Sequence, residues 1–94
     1  MKNEEVIKMF ANGYKKAVQA NSVSISANGN ILYSYGTAIA QRLRNGKFIV
    51  NETKYSVTTS KAQSYVRYHI SNELQIIAKN VPMWAHDLKK YVVK

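Results

Sequence analysis

SVSISANGNILYSY, residues 22–35, decides the fold. Val23, Ile25 and Ala27 alternate with serines before Asn28-Gly29. Ile31, Tyr33 and Tyr35 alternate with Leu32 and Ser34 after it. Successive side chains of a strand point to opposite faces, so such alternation marks a half-buried strand. Asn-Gly between two alternating runs supplies the left-handed backbone of a tight hairpin turn. The stretch reads as two antiparallel strands.

Working outward toward the C-terminus, Gly36 is expected to bend or bulge the second strand. TAIAQRL then leads to a second Asn-Gly pair at 45–46, KFIV returns as a strand, and NETK is polar and turn-like. YSVTT alternates again, with Tyr55, Val57 and Thr59 on one side. The expectation is an antiparallel meander of three to five strands. Toward the N-terminus the period changes. In residues 4–19, Val6, Phe10, Tyr14 and Ala17 recur at the helical spacing, beside Ile7 and Val18. Asn3 is the expected cap. Glu4 and Glu5 at the start and Lys15 and Lys16 near the end suit the helix dipole. Gly13 inside this run costs about 1 kcal/mol against alanine.

After the meander, Ser60 and Gln63 stand at capping-box spacing. They open a helix expected to reach about Lys79, with Val66, Ile70, Leu74 and Ile77 as its buried stripe, stopped by Asn80 and Pro82. A short last helix over residues 82–93 is expected to send Trp84, Leu88 and Tyr91 into the core. The order is helix, meander, long helix, short helix: an α+β domain, residues 1–94, with helices on one face of the sheet.

A chain of 94 residues supports one modest core. It has no cysteine, which excludes a disulfide framework and a thiolate metal site. MKNEEVIKMF carries acidic residues and no continuous apolar run, so it does not read as a signal peptide, and no stretch nears the roughly 18 apolar residues of a membrane span. A cytoplasmic protein with no membrane partner is the expectation. The unusual property is charge. Fourteen Lys and Arg oppose five Asp and Glu, a formal +9. Such an excess bears on partners, and nucleic acid is the usual one.

Several residues can carry that chemistry. Arg42, Arg44 and Lys47 surround the second Asn-Gly turn. They can grip phosphate, or they can keep an exposed turn soluble and unpaired. Lys54 and Lys61 flank the segment YSVTTSK at a strand-to-helix junction, where helix N–H groups can hold an anion. There Thr58, Thr59, Ser60 and Lys61 can take one phosphate, or Ser60 can simply cap the helix. Seven tyrosines are available for stacking or packing. Tyr33 and Tyr55 favour the core, whereas Tyr65 and Tyr68, beside Arg67, lie off the apolar stripe and favour the surface. His69 and His86 have no carboxylate cluster, so neither a metal, a cofactor nor catalysis is expected.

The strings NGNILYSYGTAIAQRL and GKFIVNETKYSVTTSKAQSYV resemble small proteins of bacteriophages and mobile elements. In those, a Ser-Tyr-Gly-Thr-x-Ile-Ala segment precedes Tyr-Ser-x-Thr-Thr-Ser-Lys; here these are Ser34 to Ala40 and Tyr55 to Lys61. The resemblance covers roughly residues 28–70. Such proteins often carry histidine after that lysine, where this chain has Ala62. The resemblance implies a nucleic-acid binder or an inhibitor of host defence of the anti-CRISPR type. Its partner would then be nucleic acid or a CRISPR–Cas nucleoprotein complex. Together with the charge, the expectation is a non-enzymatic binder using Arg42, Arg44, Lys47, Lys54, Lys61, Tyr65, Arg67 and Tyr68. The alternative is a small assembly module that forms a homodimer or larger oligomer.

Overall fold

The first helix, α1, spans Asn3–Ala11 and buries Val6, Ile7 and Phe10. It is shorter than the periodicity suggests. Gly13 ends it instead of interrupting it: at φ +98° the chain turns left-handed, the Gly13 N–H donates to Phe10 O, and the Tyr14 N–H donates to Met9 O. That pair of bonds closes a Schellman cap, which glycine favours because it lacks a Cβ. Asn3 is not the cap either. Lys2 occupies the cap position, and the Asn3 side chain bonds Ser22 in both directions, tying the start of α1 to the sheet.

In the computed structural model, which describes residues 2–93, every strand belongs to one sheet. The strands are β1 (Val18–Gln19), β2 (Val23–Ile25), β3 (Ile31–Ser34), β4 (Thr37–Arg42), β5 (Phe48–Asn51) and β6 (Gln75–Ala78), in spatial order β1-β2-β3-β4-β5-β6. The antiparallel meander holds from β1 to β5. Three expectations change: YSVTT forms no strand, since Tyr55 and Ser56 are irregular chain and Val57–Thr59 already belong to a helix. The sheet has six strands, and β6 runs parallel to β5, pairing Phe48 with Gln75 and Asn51 with Ala78. The connection between those two strands is the second helix, α2 (Val57–His69), so β5-α2-β6 is a parallel crossover.

The long helix expected to reach Lys79 therefore stops ten residues earlier. Ser71 and Asn72 follow its end, and the chain takes a 3₁₀ turn at Asn72–Leu74 before entering β6. Ile76 and Ile77 are β-branched and fit the pleated surface beside β5. The cap also moves. Ser56 accepts from the Thr59 N–H at 3.2 Å, and Ser60 lies one turn inside the helix. No last helix forms. Residues 82–88 run as irregular chain, followed by a 3₁₀ turn at Lys89–Tyr91 and a bridge from Val92 to Ala78.

Gly36 makes a turn, not a bulge. Tyr35 (φ 50°) and Gly36 (φ 81°) both turn left-handed between Ser34 and Thr37, which pair directly. Two positive φ values in a two-residue loop are those of the type I′ hairpin. The bulge falls on β4: Leu32 pairs Ala40 and Tyr33 pairs Ala38, leaving Ile39 as the extra residue. The sheet is covered on both faces. Val6, Ile7 and Phe10 of α1 and Ala62 and Val66 of α2 pack on one face against Val23, Leu32, Ile39 and Val50. The C-terminal segment covers the other, placing Val81 and Leu88 against Ala38, Ile49 and Ala78.

Candidate functional site: an aromatic cleft at one end of the sheet

A meander with a parallel crossover brings alternate connections to the same end. The β3–β4 turn, the β5–α2 connection and the chain leaving β6 share one end. The β2–β3 and β4–β5 turns share the other. At the first end a buried polar network fixes three segments. Asn51, fully buried, donates from Nδ2 to Ala38 O (2.9 Å) and to the Tyr55 hydroxyl (3.0 Å). Tyr55 donates in turn to Val81 O. Gln63 Nε2 donates to Asn51 O (2.7 Å) and Thr53 O (2.8 Å), and the Val81 N–H donates to Thr53 Oγ1. These bonds anchor residues 51–56 and the loop after β6 to the sheet.

That loop crosses the β3–β4 turn. The Trp84 N–H donates to Thr37 Oγ1 (2.9 Å), and the Ala38 N–H donates to Ala85 O (2.9 Å). The Trp84 ring lies against Gly36, where a Cβ would stand 2.8 Å from the ring. Between the turn, the first turn of α2 and this loop opens a cleft of about 750 Å³, within the size range of small-ligand pockets. Its apolar rim is Tyr35, Met83 and Trp84. Its floor is a row of hydroxyls: Ser34 Oγ lies 3.2 Å from Thr59 Oγ1, and Ser56 Oγ donates to Thr59 Oγ1 at 3.2 Å. Lys54 stands at the edge.

The core position expected for Trp84 is not observed; the residue is 62% exposed, and Tyr35 is 56% exposed. The loop dips into the sheet through Val81 and Leu88 and lifts Trp84 out between them. Both aromatics sit on left-handed backbone, Tyr35 at φ 50° and Trp84 at φ 69°. Bulky residues seldom adopt it, and it costs on the order of 1–3 kcal/mol each. Strain of this kind clusters at functional positions. The two segments carrying the sequence resemblance, Ser34–Ala40 and Tyr55–Lys61, contribute most of the other walls of this cleft.

The eight expected site residues do not form one patch. Lys54 borders the cleft. Lys61 and Tyr65 line a neighbouring hollow between the helices, which shares Thr58 with the cleft. Arg67 and Tyr68 are exposed farther along α2, Arg67 donating to Ser64 Oγ at 3.2 Å. Arg44 and Lys47 are exposed at the opposite end of the sheet. Arg42 works within the fold. Its guanidinium donates to Phe10 O (3.0 Å), Tyr14 O (3.0 Å) and Gly29 O (3.3 Å), and it stacks over the rings of Phe10 and Phe48. Partial burial lowers its pKa from the usual arginine value. Tyr33 and Tyr55 are half-buried, and burial raises the Tyr33 pKa.

Among the described residues the one ion pair is His69 Nε2 with Glu4 Oε2 at 3.0 Å, so none of their lysines or arginines is paired with a carboxylate. The described His, Asp and Glu side chains form no group of three able to hold a metal. No described helix is long and apolar enough to cross a membrane.

These features define a small α+β domain with a six-stranded mixed sheet and an open, strained aromatic cleft beside exposed cations. The chain belongs to a family of unknown function, DUF8033, whose model matches residues 5–72. No curated protein and no solved structure matches it. The family match takes in the β3–β4 turn and the first turn of α2, while Met83 and Trp84 lie beyond it.

Proposed function

We propose that the protein is a non-enzymatic binder of single-stranded nucleic acid. In this reading a base stacks on Trp84, next to Tyr35 in the cleft, and Lys54 and Lys61 face the adjoining phosphates. The observation that carries it is the exposure of both aromatics on left-handed backbone, beside Lys54 and Lys61, which form no ion pair among the described residues. Stacking of a base on an aromatic ring contributes about 1–3 kcal/mol and tolerates any base. The formal +9 supplies long-range attraction for a polyanion.

Bacteriophage or mobile-element origin belongs to the same proposal. The working place would then be the cytoplasm of a bacterial host, and the nucleic acid engaged can be that of a CRISPR–Cas complex. Such an inhibitor cannot imitate DNA, since its charge has the opposite sign. It would act on exposed nucleic acid within the complex. Assembly through a sheet edge has less to build on: β1 is two residues long, and Val92 bridges to Ala78 at the end of β6.

The test is fluorescence anisotropy with a labelled oligothymidylate of 20 nucleotides at 50 mM salt. Wild-type protein should bind, and Trp84→Ala should weaken binding by about 5- to 150-fold, the equivalent of one stacked base. A wild-type protein that does not bind, or a Trp84→Ala variant that binds equally well, refutes the proposal.

A further inference from the structure

The end of the sheet opposite the cleft gathers cations from segments far apart in sequence. Lys15 and Lys16 follow the Schellman cap of α1. Arg44 and Lys47 flank the tip of the β4–β5 hairpin. What brings them together is the β2–β3 turn and the buried end of β4. Gly29, at φ +76°, packs so closely on the Lys15 backbone that any side chain there would collide with it. Arg42 spans the join, donating to Gly29 O on one side and to Tyr14 O, next to Lys15, on the other. Its backbone N–H donates to Asn30 O at 2.7 Å.

Three hydrogen bonds close the hairpin tip. The Leu43 N–H donates to Lys47 O, the Gly46 N–H donates to Leu43 O, and the Asn45 side chain accepts from the Lys47 N–H. Arg44 thus lies in a closed three-residue loop, residues 44–46, and Lys47 is one of the two residues that close it. All four cations are exposed, and none is paired with a carboxylate among the described residues. Glu73, in the turn before β6, is an acidic neighbour at this end of the sheet, and it pairs with none of them.

We propose that Lys15, Lys16, Arg44 and Lys47 form a second nucleic-acid contact that grips phosphodiester backbone without reading or stacking bases. Charge complementarity selects the occupant: four exposed cations against the one neighbouring carboxylate of Glu73 leave an excess of positive charge that fits a run of phosphates. The contact stands on this clustering alone, whether or not the cleft takes a base. The six residues of β4 separate the two ends, at a rise of about 3.3 Å each, so the contacts lie roughly 20 Å apart. A strand reaching both must span that distance of roughly 20 Å. Short oligomers can fill one contact, and longer ones can fill both.

The experiment compares labelled oligothymidylates of 4 and 20 nucleotides on wild type, the quadruple variant K15Q/K16Q/R44Q/K47Q, and Trp84→Ala, each across 50–200 mM salt. All four replaced side chains lie outside the core, and circular dichroism verifies the fold. For the 20-mer, the quadruple variant should bind at least tenfold more weakly at 50 mM. The slope of log affinity against log salt should become shallower by about 0.7 for each phosphate that is no longer neutralised. Trp84→Ala should keep the wild-type slope. A folded quadruple variant with wild-type 20-mer affinity and slope overturns the second contact. If the 20-mer binds through the four cations while Trp84→Ala changes nothing, the second contact stands and the cleft reading fails. If wild type binds neither oligomer, both fail.

Discussion

Arg42 offers a sharp separation of fold from function. Its side chain ties the C-terminal carbonyls of α1 to the β2–β3 turn through bonds of 3.0–3.3 Å and covers two phenyl rings. Hydrogen bonds from a charged donor contribute about 1.5–3 kcal/mol each, and a partly exposed cation–π contact about 0.5–1 kcal/mol. Carbonyls at a helix end can recover water once the guanidinium is gone, so the sum is discounted. Arg42→Met, which keeps the apolar stem, should lose about 2–4 kcal/mol. For a domain of this size that is a melting temperature roughly 10–30 °C lower. Arg42→Lys keeps the charge but not the planar fork and should fall between. The assays are urea and thermal unfolding followed by circular dichroism, paired with oligonucleotide binding at a temperature where the variant is folded. Folded Arg42→Met should retain the wild-type contribution of the cleft. A variant that melts within about 2 °C of wild type yet binds tenfold more weakly would refute this reasoning and place Arg42 at the interface.

The helix cap gives a second test: Ser56→Ala should cost about 1 kcal/mol in chemical denaturation, while Ser60→Ala should cost less than half of that, because Ser56 is the residue accepting the Thr59 N–H. The half-buried phenol of Tyr33 gives a third. Its folded-state pKa is raised, so the neutral form stabilises the fold fully below the ordinary value near 10. That contribution disappears as pH rises from there through the folded-state value. Melting temperatures measured from pH 8 to 11 should fall more steeply for wild type than for Tyr33→Phe.

Much of the fold was legible where local chemistry and final geometry agree. The Asn-Gly pairs at 28–29 and 45–46 are turns, and the stripe Val6, Ile7, Phe10 is buried. The failures lie where one signal serves two structures. Gly13 reads as a flaw in a helix or as its cap, and a left-handed φ decides. Val66, Ile70, Leu74 and Ile77 keep helical spacing across a real boundary, since the parallel partner that draws Ile77 into β6 is Val50, 27 residues earlier in the chain. Tyr35-Gly36 lacks the asparagine or aspartate usual in its turn type.

The candidate site was less legible. The basic residues stand out by composition, but their division between two ends of the sheet follows from strand order. Trp84 carries no periodic signal that sets it apart from a core tryptophan. Asn51 and Gln63, which hold the cleft's walls, look like ordinary surface amides until burial is known.

Trp84 is the single tryptophan of the chain, so its own emission reports on the cleft. The most direct measurement is a fluorescence titration of the wild-type protein with oligothymidylate, repeated at 50 and 200 mM salt. A base stacked on the indole should quench the emission saturably, at concentrations that rise with salt. Saturable binding detected by the oligonucleotide's label while the Trp84 emission stays unchanged would contradict the cleft as the site of base contact.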